Sequence, residues 1–313
     1  MRVLFYGTPD FAVPSLMALV GEGFDVTGVV TRPDRPTGRH RSTATPSPVK
    51  LAALAEEIPV FEPAQPNDDD FIVRAREIAP DVAVVVAYGH ILKPALLAVP
   101  RLGSFNVHAS LLPKLRGAAP IERAILDGLT ETGVSIMQMD AGLDTGPVLH
   151  VASTPIPDDE TGGELRVRLA EIGALALVEA LTLLDEAGIT PAPQDHAQAT
   201  YAPKLTREEE RITWALDADL VARKIRAFDP KPGAWTQIRG NAVKLFGARR
   251  AMGNGQWGMG NPAGTVLAVG DAITIACGEG ALEILDAQPA GRARMTAKAF
   301  VNGRGVAVGD VLA

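Results

Sequence analysis

Along the first 140 residues, short apolar runs alternate with stretches whose apolar residues recur every three or four positions, the signature of strands separated by helices. The chain opens on VLFYG, an apolar run stopped at Gly7. Pro9 to Pro14 then lead into a helical pattern through Val13, Leu16, Met17, Leu19 and Val20. A second run, DVTGVVT, follows, so the opening reads as the strand, helix, strand unit that begins a parallel sheet. The same alternation predicts helices at about 46–57, 68–78, 93–97 and 118–127. It predicts strands near 59–61, 81–89, 104–109 and 134–139. The near-continuous apolar stretch at 82–87 suits a central strand covered on both faces. Thr161 and Glu164 have capping-box spacing, and the apolar period after them predicts a long helix up to Gly188.

The pattern then changes. Residues 190–206, TPAPQDHAQATYAPKLT, are rich in Pro, Ala and Thr without periodicity and read as a linker. Beyond it a helix is predicted at about 217–227, and short strands at 235–239, 242–247, 264–269, 272–276 and 281–289 lie between Gly-rich turns. The expected architecture is a doubly wound, mostly parallel, Rossmann-like α/β domain over residues 1–189. A linker at 190–206 and a small β-barrel of the oligonucleotide-binding type over 207–313 follow it. A length of 313 residues agrees with two domains of ordinary size.

Composition narrows the class. With 47% hydrophobic and 21% charged residues, the chain falls outside the disordered, collagen-like and disulfide-scaffold ranges. Its single cysteine, Cys277, cannot form an internal disulfide and reads as a small buried residue of an apolar strand. The apolar start is too short for a signal peptide, and Glu179 interrupts the longest apolar helix. A cytoplasmic location without membrane attachment is therefore expected. The net charge of −7 is unevenly spread. Residues 1–206 hold 16 Lys and Arg against 26 Asp and Glu, and residues 207–313 hold 14 against 11. Within the acidic part, residues 31–50 carry Arg32, Arg35, Arg39, Arg41 and Lys50 against one acid, Asp34. That stretch reads either as a solvated surface loop or as an arm that finds phosphates by charge.

Several familiar chemistries find no support. GTPDFA after the first strand lacks the glycine spacing of a dinucleotide site, and there is no phosphate-binding G-x-x-x-x-G-K-[ST]. The five histidines show no metal-ligand spacing, and no G-x-S-x-G elbow is present. What stands out is SFNVHASLLPKLRGAAPI at 104–121. Alternate residues of a strand share a face, so Asn106 and His108 point the same way at a strand's carboxyl end, where open α/β sheets bind ligands. A second stretch, MDAGLDTGPVL at 139–149, sets Asp140 and Asp144 in a Gly-rich loop after the next strand. One carboxylate there can orient an imidazole or take its proton, while Asp140 suits a turn-forming role.

GTPDFA, FNVHASLLPKLRGAAPI and DAGLDTGPVL, with the basic stretch after TRPDRPTGR, closely resemble the methionyl-tRNA formyltransferases, within the wider family of 10-formyltetrahydrofolate-dependent formyltransferases. The resemblance runs through nearly the whole chain, including PKLTREEERITWALDADLVARKIRAFDPKPGAW. It implies that Asn106, His108 and Asp144 are catalytic. It implies that Ser110, Leu111, Leu112 and Pro113, with Tyr88, Gly89 and Asp140, form the folate site. It also implies that Arg32, Arg35, Arg39 and Arg41 meet tRNA. The implied co-substrate is 10-formyltetrahydrofolate, the implied partner is initiator Met-tRNA, no metal is implied, and a monomer is expected. Formyl transfer to an amine builds a tetrahedral oxyanion, which Asn106 and His108 would meet as donors while Asp144 orients His108 and favours its charged form. Two rival readings are an amino-sugar formyltransferase using the same folate chemistry and a non-catalytic RNA-binding module. A hydrolase with water as acceptor is a third.

Overall fold

The computed structural model describes residues 1–36, 44–251 and 260–313. Arg39 and Arg41 lie outside the described residues. The chain forms two compact units. One comprises Met1–Pro120, Glu131–Thr154 and Arg166–Ala202, and the other Ile121–Thr130, Pro155–Leu165 and Pro203–Ala313.

In the first unit the strands are β1 (Arg2–Gly7), β2 (Asp25–Val30), β3 (Arg35–Pro36), β4 (Ala44–Thr45), β5 (Val60–Phe61), β6 (Val82–Val86), β7 (Ser104–His108), β8 (Arg116–Gly117), β9 (Glu131–Gln138), β10 (Val148–Pro155) and β11 (Tyr201–Ala202). Seven of them form one sheet in the order β10-β9-β7-β6-β1-β2-β5. The pairs β1–β2, β1–β6, β2–β5 and β6–β7 are parallel, and β9 runs antiparallel to β7. Every residue of β6 is buried, as a continuous apolar run requires when both sheet faces are covered. On one face Phe71, Ile72 and Ala75 of α3 (Asp69–Ile78) and Leu96 and Leu97 of α4 (Pro94–Leu97) pack with Leu4, Tyr6, Ala83 and Val85. Helices α1 (Val13–Gly21) and α2 (Pro48–Ala55) bury Leu16, Leu19, Val49 and Ala53. The strand at 148–155 was not expected. It lies at the sheet's end, and only Thr154 of its residues is buried, so its apolar pattern is weak.

Two features of this unit depart from simple loops. At the base of the basic stretch, the Lys50 ammonium donates to Asp34 and Glu62 at 2.7 Å each, which raises its pKa. The Thr31 and Ser47 hydroxyls meet at 2.8 Å, and Ser47 caps α2 by accepting from Lys50 N. The second is the segment expected as a linker. Ala192 exchanges backbone hydrogen bonds with Val148 at 2.8 Å, and β11 pairs in parallel with β8. Thr200 Oγ1 accepts from Leu115 N at 2.9 Å. Residues 190–202 are thus fastened by polar contacts, which leave no apolar period to read.

The second unit has β12 (Trp235–Ile238), β13 (Asn241–Arg250), β14 (Val266–Val269), β15 (Ile273–Ala276), β16 (Ala281–Pro289) and β17 (Met295–Thr296). They make an antiparallel half-barrel in the order β12-β13-β16-β15-β14, with β17 on β16. Helix α5 (Pro120–Leu126) begins this unit's first segment, and α6 (Gly162–Glu186) starts in its second. Helix α7 (Ala218–Ala227) buries Val221, Ala222 and Ile225, with Asp217 capping it by accepting from Asp219 N at 2.7 Å. The short α8 (Ala297–Asn302), capped by Thr296, had no counterpart in the sequence pattern. Among the described residues no helix is long and apolar enough to cross a membrane, and no group of three or more His, Cys, Asp or Glu could hold a metal ion.

Candidate active site

Strand β7 buries Phe105 and Val107 at 1% and 4% exposure, as alternation demands of a covered strand. Asn106 and His108 share the other side. Asn106 is half-buried, and its amide has no hydrogen-bond partner among the described residues. His108 is buried, with both ring nitrogens facing acceptors. Nε2 lies 3.0 Å from Leu115 O, and Nδ1 lies 3.7 Å from Asp144 Oδ2. The second distance is long for a hydrogen bond and within the range of an ion pair.

The loop after β9 brings Asp144 to this point. Asp140 Oδ1 accepts from Gly142 N at 2.9 Å and Thr145 Oγ1 at 2.7 Å, which closes the turn. Gly146 passes so near β9 that a Cβ there would stand 1.8 Å from Gln138 O, so only glycine fits. Asp144 itself has φ +52°, a left-handed conformation that costs a non-glycine residue about 1–3 kcal/mol. Its carboxylate accepts from Gly117 N at 2.8 Å. Leu115, whose carbonyl meets His108, is also left-handed at φ +56°. Two strained residues thus stand on either side of one imidazole, held by the surrounding hydrogen bonds.

Ser110, Leu111, Leu112 and Pro113 form the turn that follows β7. Ser110 is buried, and its hydroxyl donates to Lys114 O at 2.6 Å. Ser135 on β9 pins the turn by donating to Ser110 O at 2.7 Å and accepting from Leu112 N at 3.0 Å. Tyr88 is 1% exposed and packs edge-on against Tyr6 with centroids 5.5 Å apart, and its hydroxyl is buried without a partner. Burial pushes its pKa up to about 12. Gly89, at φ +82°, has Arg32 beside it: a Cβ there would be 3.2 Å from Arg32 Nη1, and Arg32 Nε is buried without a partner. Arg32 therefore lies against Gly89, at the end of the same strand-and-loop edge. Arg35 is on β3.

Of the residues that brace this arrangement, the sequence offered Arg116, either as a substrate contact or as packing beside a loop. Arg116 is 2% exposed and hydrogen-bonded to Gln194 and His196, so packing occupies the side chain. Gln194, Ser135 and Thr200 carried no signal, because an isolated polar residue in an aperiodic or alternating stretch reads as surface.

A mostly parallel sheet with an amide, an imidazole and a carboxylate near one strand's carboxyl end belongs to the class of α/β folds that bind ligands at that edge. Residues 1–181 match the formyl transferase family and residues 204–305 its C-terminal domain, so the chain belongs to the formyl transferase family. It is 48% identical over 313 residues to the methionyl-tRNA formyltransferase of Thiobacillus denitrificans, covering 100% of this chain and 99% of that protein. It is 50% identical over 307 residues to the methionyl-tRNA formyltransferase of Stenotrophomonas maltophilia strain K279a, covering 97% and 98%. Its fold is also that of the N-formyltransferase from Helicobacter canadensis solved with folinic acid and dTDP-3-aminofucose. That likeness has a TM-score of 0.69 at 18% identity, over 92% of this chain and 99% of that one.

Proposed function

We propose that this formyltransferase takes the formyl group of 10-formyltetrahydrofolate and joins it to the α-amino group of the methionine carried by initiator tRNA. The observation that carries the reading is the unpartnered amide of Asn106 beside a buried imidazole that a carboxylate faces. Full-length identity near one half to proteins named for this reaction supports the choice of acceptor.

The donor set fits a folate formyl donor: a free amide, an imidazole, and a turn at Leu111–Pro113 whose backbone Ser135 fixes. When bound, the folate supplies an activated formyl carbon. Asn106 donates to the oxygen that gains negative charge as the amine attacks, and the His108 imidazole assists it there. Asp144 orients the His108 ring through Nδ1 and, directly or through a water, receives the proton that the amine nitrogen gives up on becoming an amide. The formyl carbon's bond to N10 breaks, and N10 takes up a proton as tetrahydrofolate departs. Tyr88, Gly89 and Asp140 shape the folate side by backbone and turn rather than by charge. Arg32, Arg35, Arg39 and Arg41, with the net +3 of residues 207–313, supply the positive surface that a tRNA requires of an acidic protein. We assign the catalytic part to residues 1–189, a connection to 190–206 and the tRNA-binding part to 207–313, in a monomer acting in the cytoplasm.

The test is transfer of radiolabelled formyl groups from 10-formyltetrahydrofolate to charged initiator tRNA, beside His108→Ala and an Arg39→Ala/Arg41→Ala variant. Transfer should be lost in the first. In the second, the slope of log affinity against log salt should flatten by about one for each arginine that meets a phosphate. Transfer to a nucleotide amino sugar or to water, with none to tRNA, would keep the chemistry and refute the acceptor.

A further inference from the structure

The segment 190–202 places one side chain behind the loop that holds Asp144. The Gln194 carboxamide is 8% exposed and uses its whole hydrogen-bonding capacity. Nε2 donates to Asp144 O at 3.0 Å and Gly146 O at 2.6 Å. Oε1 accepts from Arg116 Nε at 3.2 Å and Nη2 at 2.6 Å. Arg116 is buried, and no carboxylate pairs with it among the described residues. Its remaining contact is Nη2 to His196 Nδ1 at 3.0 Å. A guanidinium only donates, so it turns the amide's oxygen toward itself and thereby turns both N–H groups toward the loop.

Burying a charge without an opposite charge is costly, and packing alone would favour an apolar side chain at this position. What the arginine achieves here is orientation. Its neighbour, Gly117, donates its backbone N–H to the Asp144 carboxylate at 2.8 Å. Consecutive residues of β8 therefore hold Asp144 at both ends, the carboxylate directly and the main-chain carbonyl through Gln194. The backbone of Asp144 is left-handed while its carboxylate faces His108, and the clamp offsets part of what that conformation costs.

We infer that Gln194, oriented by Arg116, is a positioning residue for formyl transfer: it locks the Asp144 backbone so that the carboxylate faces His108. The inference rests on the reading that Asp144 works through His108. The experiment measures kcat and both KM values for Gln194→Ala and Gln194→Glu, each alone and combined with Asp144→Ala, alongside thermal melts. Gln194→Glu keeps both acceptor contacts to Arg116 but sets an oxygen against the two loop carbonyls.

Either single Gln194 variant should lose kcat by up to about a hundredfold with both KM values unchanged, since displacements near 1 Å cost that much. In the Asp144→Ala background neither should cause further loss, because residues acting through one another are not additive. Should Gln194→Ala prove unfolded, Gln194→Glu decides. Full kcat in a folded Gln194 variant, or a loss that multiplies with that of Asp144→Ala, overturns the inference. Asp144→Ala with undiminished kcat instead overturns the catalytic reading beneath it.

Discussion

Each unit contains an aspartate at a turn, buried in the second unit and half-buried in the first, and the two are satisfied in opposite ways. In the second unit Asp229 is 5% exposed. Oδ1 accepts from Arg294 Nη1 at 2.7 Å, Oδ2 accepts from Gly247 N at 3.3 Å, and Arg294 also reaches Asp286 at 2.8 Å. The guanidinium carbon of Arg294 lies 4.3 Å from the centroid of the Phe246 ring. Here charge meets charge, the cation is screened by an aromatic face, and nothing is left over for a ligand. In the first unit Asp144 receives one backbone N–H and faces an imidazole at 3.7 Å, with an unpartnered amide on the same strand. Its carboxylate faces no arginine or lysine among the described residues. The contrast teaches that burial of a carboxylate is not itself a sign of chemistry. A carboxylate neutralised by a cation stabilises the fold, and one held by dipoles opposite a titratable ring can move a proton.

The comparison breaks if the two aspartates respond alike to removal. The largest effect should come from Asp144→Ala or His108→Ala, with kcat down by about 10²–10⁴ and a melting curve close to that of the parent. A single-turnover formyl-transfer assay beside differential scanning calorimetry checks both halves. Asn106→Ala removes one donor and should cost about 10²–10³ in kcat, read in the same assay. Next in size is Asp229→Ala. Its loss leaves the Gly247 N–H without its acceptor and Arg294 with Asp286 as its remaining carboxylate, and because Arg294 is over one-third exposed the cost should be about 1–2 kcal/mol of stability. Urea unfolding measures it, while the transfer rate per folded molecule at saturating tRNA stays near that of the parent. Equal loss of rate in both aspartate variants would erase the distinction.

The smallest effect concerns the start of α6. The Glu164 carboxylate accepts from Thr161 Oγ1 and Thr161 N, which lowers its pKa. A folded pKa below the unfolded value means the stabilisation is complete above about pH 4.3, the ordinary glutamate range, and fades as pH falls through the folded value. Glu164→Ala should therefore cost about 0.5 kcal/mol at pH 7 and less as the pH is taken down through the acid range, measured by urea titrations at a series of pH values.

Much of the frame was legible before any coordinates. Helices expected at 68–78 and 217–227 lie at 69–78 and 218–227, and strands expected at 272–276 and 281–289 lie at 273–276 and 281–289. Those elements bury one face or both, so hydrophobic period reports them faithfully. Asn106 and His108 were found by the same logic, since a period of two puts them on one side of β7. The strand at 148–155, the short α8 and the strap at 190–202 were not legible. The strand and the strap bury little apolar area and are fixed by hydrogen bonds to other segments, while α8 buries only Ala297 and Phe300 over six residues, too short a run to show a period.

Sequence alone determined the alternation of strand and helix, the change of pattern beyond residue 206, and the presence of an amide, an imidazole and a carboxylate in two short stretches. Only the tertiary structure decided that Asp144 turns left-handed to face His108. It also decided that Arg116 is buried as a brace, and that Gln194, 50 residues along the chain, grips the Asp144 carbonyl. The reason is physical. Burial leaves a periodic trace along the chain, whereas a hydrogen bond between residues far apart depends on distance and direction, which exist only once the sheet has brought its strands together.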